Sequence, residues 1–152
     1  MELVTLLHDH SDEILAAASE AVERTHLKNY ERAGKEQTHQ RLKALLVLTT
    51  RGVKERNLGP MIAYAETIGR ERFAAGYDLA EVQTAFNVLE EAIWTKILKT
   101  LPPSEFGHAL GLVATVLGAG KDSLARTYVT LASKSKAGSL NLQSLFSGTE
   151  GI

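Results

Sequence analysis

The sequence contains no cysteine, and this absence excludes two kinds of stabilisation. Neither a disulfide framework nor a thiolate metal site can form in these 152 residues. Proline is scarce, with three residues, and aromatic residues make up only 6% of the chain. No apolar run approaches the roughly 18 residues that suggest a membrane span. The N-terminus carries acids where a secretory signal would carry lysine or arginine, so we expect a soluble, cytoplasmic protein.

Charge is nearly balanced, with a formal net value of −1, but it is unevenly distributed. Residues 1–23 contain six acids and no lysine or arginine, whereas residues 24–56 contain nine bases and three acids. Nucleic-acid-binding proteins can have such a basic stretch, but here Tyr30 is the only aromatic residue within it. We therefore expect an acidic first helix to lie near a basic second helix, and we expect neither a nucleic-acid nor a membrane partner.

Apolar residues recur at three- and four-residue steps along most of the chain, and helix-favouring residues are spread throughout. The sequence predicts an all-α protein, built as a single bundle of about five helices with antiparallel neighbours. The predicted helices span approximately residues 2–27, 35–54, 60–75, 79–101 and 104–133. We expect residues 1–133 to form one helical sensory or regulatory domain. Residues 134–152 are rich in Gly, Ser and Lys and are predicted to be a flexible tail or the start of a linker.

The middle of the chain predicts a sharp corner between two helices. Gly76 suits the left-handed residue that ends a helix. Asp78 stands where an N-cap is expected, and Glu81 follows at the spacing of a capping box. Tyr77 and Val82 have the spacing of a hydrophobic staple. The pattern is that of a packed turn, and it contains no nucleophile, metal cluster or phosphate loop.

Candidates for a reactive site are few. His39 and Lys43 stand one helical turn apart, as in histidine phosphotransfer domains, but the surrounding residues are one position out of register with the usual pattern. Phosphotransfer through His39 is kept as an alternative. His8 and His10 would point about 200° apart on a helix and cannot close on one metal ion from the same face. The sequence predicts no metal site and no catalytic residue.

Two further patterns concern small ligands. Tyr64, Phe86 and Trp94 are aromatic residues that could line a pocket for a small molecule or haem between helices, although such residues more often fill a core. The Gly-Ala-Gly-Lys segment that begins at Gly118 lacks the earlier glycine and the following serine or threonine of a phosphate-binding loop. We expect Gly118 and Gly111 to permit the close approach of a neighbouring helix instead.

The predicted corner resembles a known family. The resemblance is carried by spaced residues, namely Tyr64-Ala65, Ile68-Gly69, Arg72, Gly76, Leu79, Glu81-Val82, Phe86, Leu89 and Trp94. This pattern is similar to that of the N-terminal domain of RsbT co-antagonist regulators of the RsbRD type. Phe86 stands where the family more usually has a tyrosine.

The resemblance implies a non-enzymatic, all-α sensory or regulatory domain in bacterial signal transduction, as in stressosome-type regulators. Such a domain usually precedes an output domain, so we expect a protein partner or a C-terminal output domain, and a homo-oligomer such as a dimer. The family implies no agreed cofactor, ligand or catalytic residue. Tyr64, Arg72, Gly76, Glu81 and Trp94 are therefore transferred only as family-pattern positions.

Overall fold

The computed structural model describes residues 1–139 of the chain, with side chains up to Lys134. These residues form α-helices and contain no strand, so the all-α prediction is confirmed. The helices are α1 (Leu3–Asp9), α2 (Ser11–Thr25), α3 (Lys28–Ala33), α4 (Lys35–Glu55), α5 (Gly59–Ala74), α6 (Leu79–Thr100) and α7 (Phe106–Ser139). A 3₁₀ turn at Pro103–Glu105 precedes α7. The predicted count of five is wrong, because the described residues contain seven α-helices.

The two additional helices lie in the N-terminal part of the chain. The predicted first helix is divided at His10, whose φ of −104° and ψ of 17° separate α1 from α2. Asp12 and Glu13 lie in the first turn of α2, where acids interact favourably with the helix dipole. The predicted connection between the first two helices contains the short helix α3. This helix lies between two residues of positive φ, His26 at 51° and Gly34 at 89°.

The other predicted helices agree closely with α4, α5 and α6, whose observed ends differ from the predicted ends by about one residue. The last helix differs more. α7 continues to Ser139, so residues 134–139, where the predicted flexible tail or linker begins, are helical. Residues 140–152, the rest of the predicted tail, lie outside the described residues.

The core contains apolar side chains from all seven helices. The most extensive packing joins α5 to α7 and α2 to α6, and neither pair is adjacent in the sequence. α4 contacts all six other helices and is therefore the central element of the bundle. The predicted arrangement of antiparallel sequence neighbours differs from this, because the dominant contacts are between helices distant along the chain. Within residues 1–139, no helix is both long enough and apolar enough to cross a membrane.

The close approach of α7 to its neighbours depends on Gly120. A Cβ atom at Gly120 would lie 2.8 Å from Cε1 of Phe86 and 2.9 Å from Sδ of Met61. A Cβ atom at Gly111 or Gly118 would meet no atom within 4 Å. The predicted packing roles of Gly111 and Gly118 are therefore wrong, and in α7 it is Gly120 that leaves room for neighbouring side chains.

Candidate functional site: a tyrosine–arginine cluster at the helical corner

The turn between α5 and α6 forms at Gly76, as the sequence predicts. Gly76 has a φ of 85°, which a residue without Cβ adopts at little cost. Its N–H donates to the carbonyl of Phe73 at 3.1 Å, and the N–H of Tyr77 donates to the carbonyl of Arg72 at 2.9 Å. These two bonds close the helix as a Schellman motif. The turn brings Tyr77 into the core, where it is buried.

The residues that begin α6 do not form the predicted capping box. Asp78 occupies the N-cap position, but its side chain makes no capping hydrogen bond. Glu81 is only 7% exposed, and both of its carboxylate oxygens accept from Nδ2 of Asn29, at 3.0 and 2.8 Å. A buried carboxylate requires a hydrogen-bond partner, and here the partner is a side chain of α3. The capping-box prediction is therefore wrong, and Glu81 instead joins α6 to α3.

Tyr77 is the centre of what we call the tyrosine–arginine cluster, which consists of Tyr30, Arg41, Tyr64, Arg72, Tyr77 and Tyr128. The Tyr77 hydroxyl accepts a hydrogen bond from Nη1 of Arg41 at 2.8 Å. It lies 3.4 Å from the carbonyl oxygen of Asn29, to which it donates. The Tyr30 ring packs edge-on against the Tyr77 ring, with centroids 5.9 Å apart and an interplanar angle of 88°. One side chain thus connects the α5–α6 turn to both α3 and α4.

Two guanidinium groups also lie close to the Tyr77 ring. Cζ of Arg41 is 5.4 Å and Cζ of Arg72 is 5.7 Å from the ring centroid. Both distances are within the range at which a cation is attracted by an aromatic ring. Arg72 is mostly buried, and its Nη1 lies 3.4 Å from the carboxylate of the exposed Glu71. Two positive charges, one from α4 and one from α5, therefore lie near the Tyr77 ring at this corner.

Tyr128 joins α7 to the cluster. Its hydroxyl donates to the carbonyl oxygen of Tyr77 at 2.8 Å. Its ring packs edge-on against Phe73, with centroids 5.4 Å apart. Together with the bond between Asn29 and Glu81, these contacts connect five helices, α3 to α7, through polar side chains at one place.

Burial disfavours the ionised form of three tyrosines of the cluster. It raises the pKa of Tyr30 and of Tyr64, and it raises the pKa of Tyr128 to about 12. The positive charge of Arg72 opposes the shift in each case but does not cancel it. At neutral pH these phenols act as hydrogen-bonding groups, and they do not supply a phenolate nucleophile or base.

The structure brings together two of the three predicted pocket residues. Tyr64 and Phe86 line a cavity of about 20 Å³, together with side chains of the cluster that include Arg41 and Arg72. This volume suffices for about one water molecule, whereas small-molecule pockets typically measure roughly 300–1,000 Å³. Trp94 is 40% exposed on α6 and does not line this cavity. The binding of haem or another ligand at Tyr64, Phe86 and Trp94 stays a prediction. In this conformation the space between Tyr64 and Phe86 is small.

His8, His10 and His39 are not members of the cluster. His39 is exposed on α4, and its predicted role as a phosphoacceptor stays a prediction. Nδ1 of His8 is 3.1 Å from the carboxylate of Asp9, and Nδ1 of His10 is 3.4 Å from that of Glu13. Throughout the described part of the chain, no group of three or more His, Asp or Glu side chains is arranged to hold a metal ion.

Four of the five family-pattern positions meet at this corner. Tyr64 and Arg72 belong to the cluster, Gly76 forms the turn, and Glu81 anchors α6 to α3, whereas Trp94 lies further along α6. The fold and this corner define an all-helical module whose distinguishing feature is a buried polar junction between helices.

The model of the RsbT co-antagonist protein rsbRD N-terminal domain family matches residues 5–132. The chain belongs to this family, and the resemblance inferred from the spaced residues is confirmed. Membership places the chain among stressosome-type signalling regulators. Comparisons with the curated proteins and with the solved structures give no match.

Proposed function

We propose that this domain is a non-enzymatic regulatory module that modulates a protein partner or a C-terminal output domain in bacterial signal transduction. The observation that carries the proposal is the tyrosine–arginine cluster, which joins five helices and includes two of the family-pattern positions, Tyr64 and Arg72. A signal would shift the population between two arrangements of this corner. The expected cytoplasmic location belongs to the same proposal.

A buried polar junction is suited to such a switch. Hydrogen bonds are directional, so a small displacement of one helix breaks several of them together instead of weakening each slightly. Arg41 is partly buried and Arg72 is mostly buried, and water would reach their guanidinium groups only when the contacts to Tyr77 open. The corner therefore has an alternative arrangement that does not leave bare charges in the core.

α7 offers the route from the corner to a partner. Tyr128 is bonded to the carbonyl of Tyr77 and lies on the same uninterrupted helix as Ser139. When the α5–α6 turn moves, Tyr128 must follow it or lose its hydrogen-bond partner. In the first case the end of α7, which precedes residues 140–152, moves with the turn, and in the second case α7 is released from the corner.

Relaxation-dispersion NMR tests this mechanism. We expect the amides around Tyr77 and Tyr128 to report one exchange process on the microsecond-to-millisecond timescale. Tyr128→Phe removes the bond between α7 and the turn, and should change the populations at both places. Val129→Ala, on the exposed side of the same helix, is the control and should leave them unchanged. Absence of exchange at the corner, or identical exchange in Tyr128→Phe and wild type, would count against the proposal.

The expected homo-oligomer is also proposed, with α6 as the candidate surface. Trp94 is 40% and Leu98 is 53% exposed, and they stand one helical turn apart. Two large apolar side chains on one exposed face favour association with a second copy of the chain. Sedimentation velocity should detect a dimer that Trp94→Ala weakens. A monomer alone at high micromolar concentration would remove this part of the proposal.

A further inference from the structure

The uneven charge of residues 1–56 is found on the outer faces of two helices that pack together. α2 and α4 are in contact, and the buried residues of both helices include no charged side chain. The acids of α2 and the bases of α4 therefore lie at the surface. Among the described residues, one ion pair joins the two helices, between Nζ of Lys35 and Oε1 of Glu23 at 3.6 Å. Most of the opposite charge on these helices is thus not paired within one copy.

The two outer faces have the same spacing of residues. On α2 an acidic stripe has acids at three positions and alanine at the other, namely Asp12, Ala16, Glu20 and Glu23. On α4 a basic stripe has bases at the same three positions and valine at the other, namely Lys43, Val47, Arg51 and Lys54. All eight residues are exposed. Both series advance by four, four and three residues, so each stripe stays within about 80° of the helix circumference and spans about 16 Å.

The two stripes are complementary at each position. When α2 of one copy lies alongside α4 of another copy and runs in the same direction, each acid lies beside a base. Ala16 then lies beside Val47, which is 59% exposed in the single copy. The small alanine leaves room for the valine side chain, so the charged pairs surround one apolar contact. Helices that cross at about 20° can remain in contact over such a length.

The charges of the stripes are available to a partner. In the part of the chain with described side chains, Asp12, Glu20, Lys43 and Lys54 make no ion pair. The other two charged members have partners within the copy, since Glu23 lies near Lys35 and Nε of Arg51 lies 3.1 Å from Oε2 of Glu55. Both of these pairs are exposed to water, and exposed ion pairs exchange partners at little cost.

We propose that the acidic stripe of one copy binds the basic stripe of a second copy. Two different surfaces meet in this contact, so its repetition produces a ring or a chain of copies. Three exposed charge pairs around one apolar contact make a weak interaction, with a Kd on the order of 0.1–1 mM. The contact goes beyond the proposed regulatory function and does not depend on it, because neither stripe includes a residue of the tyrosine–arginine cluster or of the exposed face of α6.

Charge reversal tests the contact by sedimentation velocity of the full chain at low salt. All samples carry Trp94→Ala, which removes any contribution from α6. Lys43→Glu/Lys54→Glu makes both stripes acidic, and Asp12→Lys/Glu20→Lys makes both stripes basic. Each double variant alone should self-associate about 10-fold more weakly than the parent, because like charges then face each other. An equal mixture of the two should associate again, because every stripe of one variant then meets a stripe of opposite charge on the other.

Two controls separate this contact from general effects of charge. Lys99→Glu/Lys134→Glu changes the net charge as much as the α4 variant does, at exposed positions of α6 and α7, and should associate like the parent. Raising the salt concentration from about 50 mM to about 0.5 M should weaken the parent contact by about 10-fold, because the screening length falls to a few ångströms.

Cross-linking tests which residues face each other. The chain contains no cysteine, so an introduced thiol is unique. A mixture of Ala16→Cys and Val47→Cys copies, treated with a short bis-maleimide, should give a product that joins one copy of each as the main species. Ala63→Cys, exposed on α5, replaces Val47→Cys in the control and should give little of the mixed product.

Four results would overturn the proposal. These are a mixture that associates no more strongly than either double variant alone, an association that salt does not weaken, cross-linking of Val47→Cys mainly to itself, and a parent that does not self-associate but binds a short DNA duplex or phosphatidylglycerol vesicles. The last result would assign the basic stripe to a nucleic acid or a membrane. Exchange at the corner, measured by NMR in the same variants, tests the proposed function separately.

Discussion

Replacing Tyr77 separates the two ways in which this residue holds the helical corner together. Tyr77→Phe removes the hydroxyl, which accepts from Nη1 of Arg41 at 2.8 Å, and keeps the ring. Tyr77→Leu also removes the ring, and with it the edge-on contact to Tyr30 and the contacts to the guanidinium groups of Arg41 and Arg72. The difference between the two variants therefore measures the ring contacts.

The expected magnitudes follow from these contacts. A hydrogen bond to a charged group contributes about 1.5–3 kcal/mol, but Arg41 is partly exposed and water can replace the hydroxyl, so we expect Tyr77→Phe to cost about 1–2 kcal/mol. One aromatic pair contributes about 0.5–1.5 kcal/mol and two cation–ring contacts about 0.5–1 kcal/mol each, so Tyr77→Leu should cost about 1.5–3.5 kcal/mol more. For a domain of this size, the Tm falls by about 2–4 °C per kcal/mol.

Urea unfolding followed by circular dichroism measures these free energies. The midpoint should move to lower urea in the order wild type, Tyr77→Phe, Tyr77→Leu, with an unchanged slope. Tyr64→Phe is the matched control. Only burial and nearby charges shift the pKa of the Tyr64 hydroxyl, with no contribution from a hydrogen bond, so its removal should cost less than about 0.5 kcal/mol. Equal costs for Tyr77→Phe and Tyr64→Phe, or for the two Tyr77 variants, would refute the reasoning.

Two further predictions concern packing and pH. Gly120→Ala forces a Cβ atom against Phe86 and Met61 and should destabilise the domain by about 1–3 kcal/mol. Gly118→Ala places its Cβ atom in open space and should stabilise the domain by up to about 1 kcal/mol. A higher Tm for Gly120→Ala than for Gly118→Ala would contradict this prediction. Because burial raises the folded-state pKa of Tyr128 from 10.0 to about 12, its stabilising contribution is complete below about pH 10 and is lost as the pH rises towards 12. Absorbance at 295 nm should follow this ionisation, and a Tyr128→Phe difference titration centred at pH 10 would exclude it.

The corner illustrates which features a sequence pattern can predict. Gly76 was predicted correctly because its left-handed backbone depends on the residue itself and on the helix that it ends. Glu81 was assigned to a capping box, which is also a local feature, but its carboxylate faces the core and bonds Asn29, 52 residues earlier in the chain. The one available signal was an acid among the apolar positions of α6, and this signal does not name its partner.

The N-terminal helices illustrate a second limit. Leu7 and Ile14 are seven residues apart, the spacing that places two residues on one face of a continuous helix, and both are buried although the helix is broken between them. The apolar pattern therefore predicted one long helix, although Asp12 and Glu13 follow Ser11 as acids often follow a helix start. The packing of α1 on α4 and α6, and of α2 on α6 and α4, accompanies the break at His10.

By itself, the sequence determined the all-α class, the bounds of α4, α5 and α6, and the turn at Gly76, because these depend on apolar periodicity and on the backbone preferences of single residues. The tertiary structure decided which polar groups meet. Arg41 and Tyr77 are 36 residues apart, and Tyr128 is 51 residues from the carbonyl that it bonds. Such partners are selected by the relative positions of whole helices, which depend on packing throughout the core and leave no trace in the local order of residues.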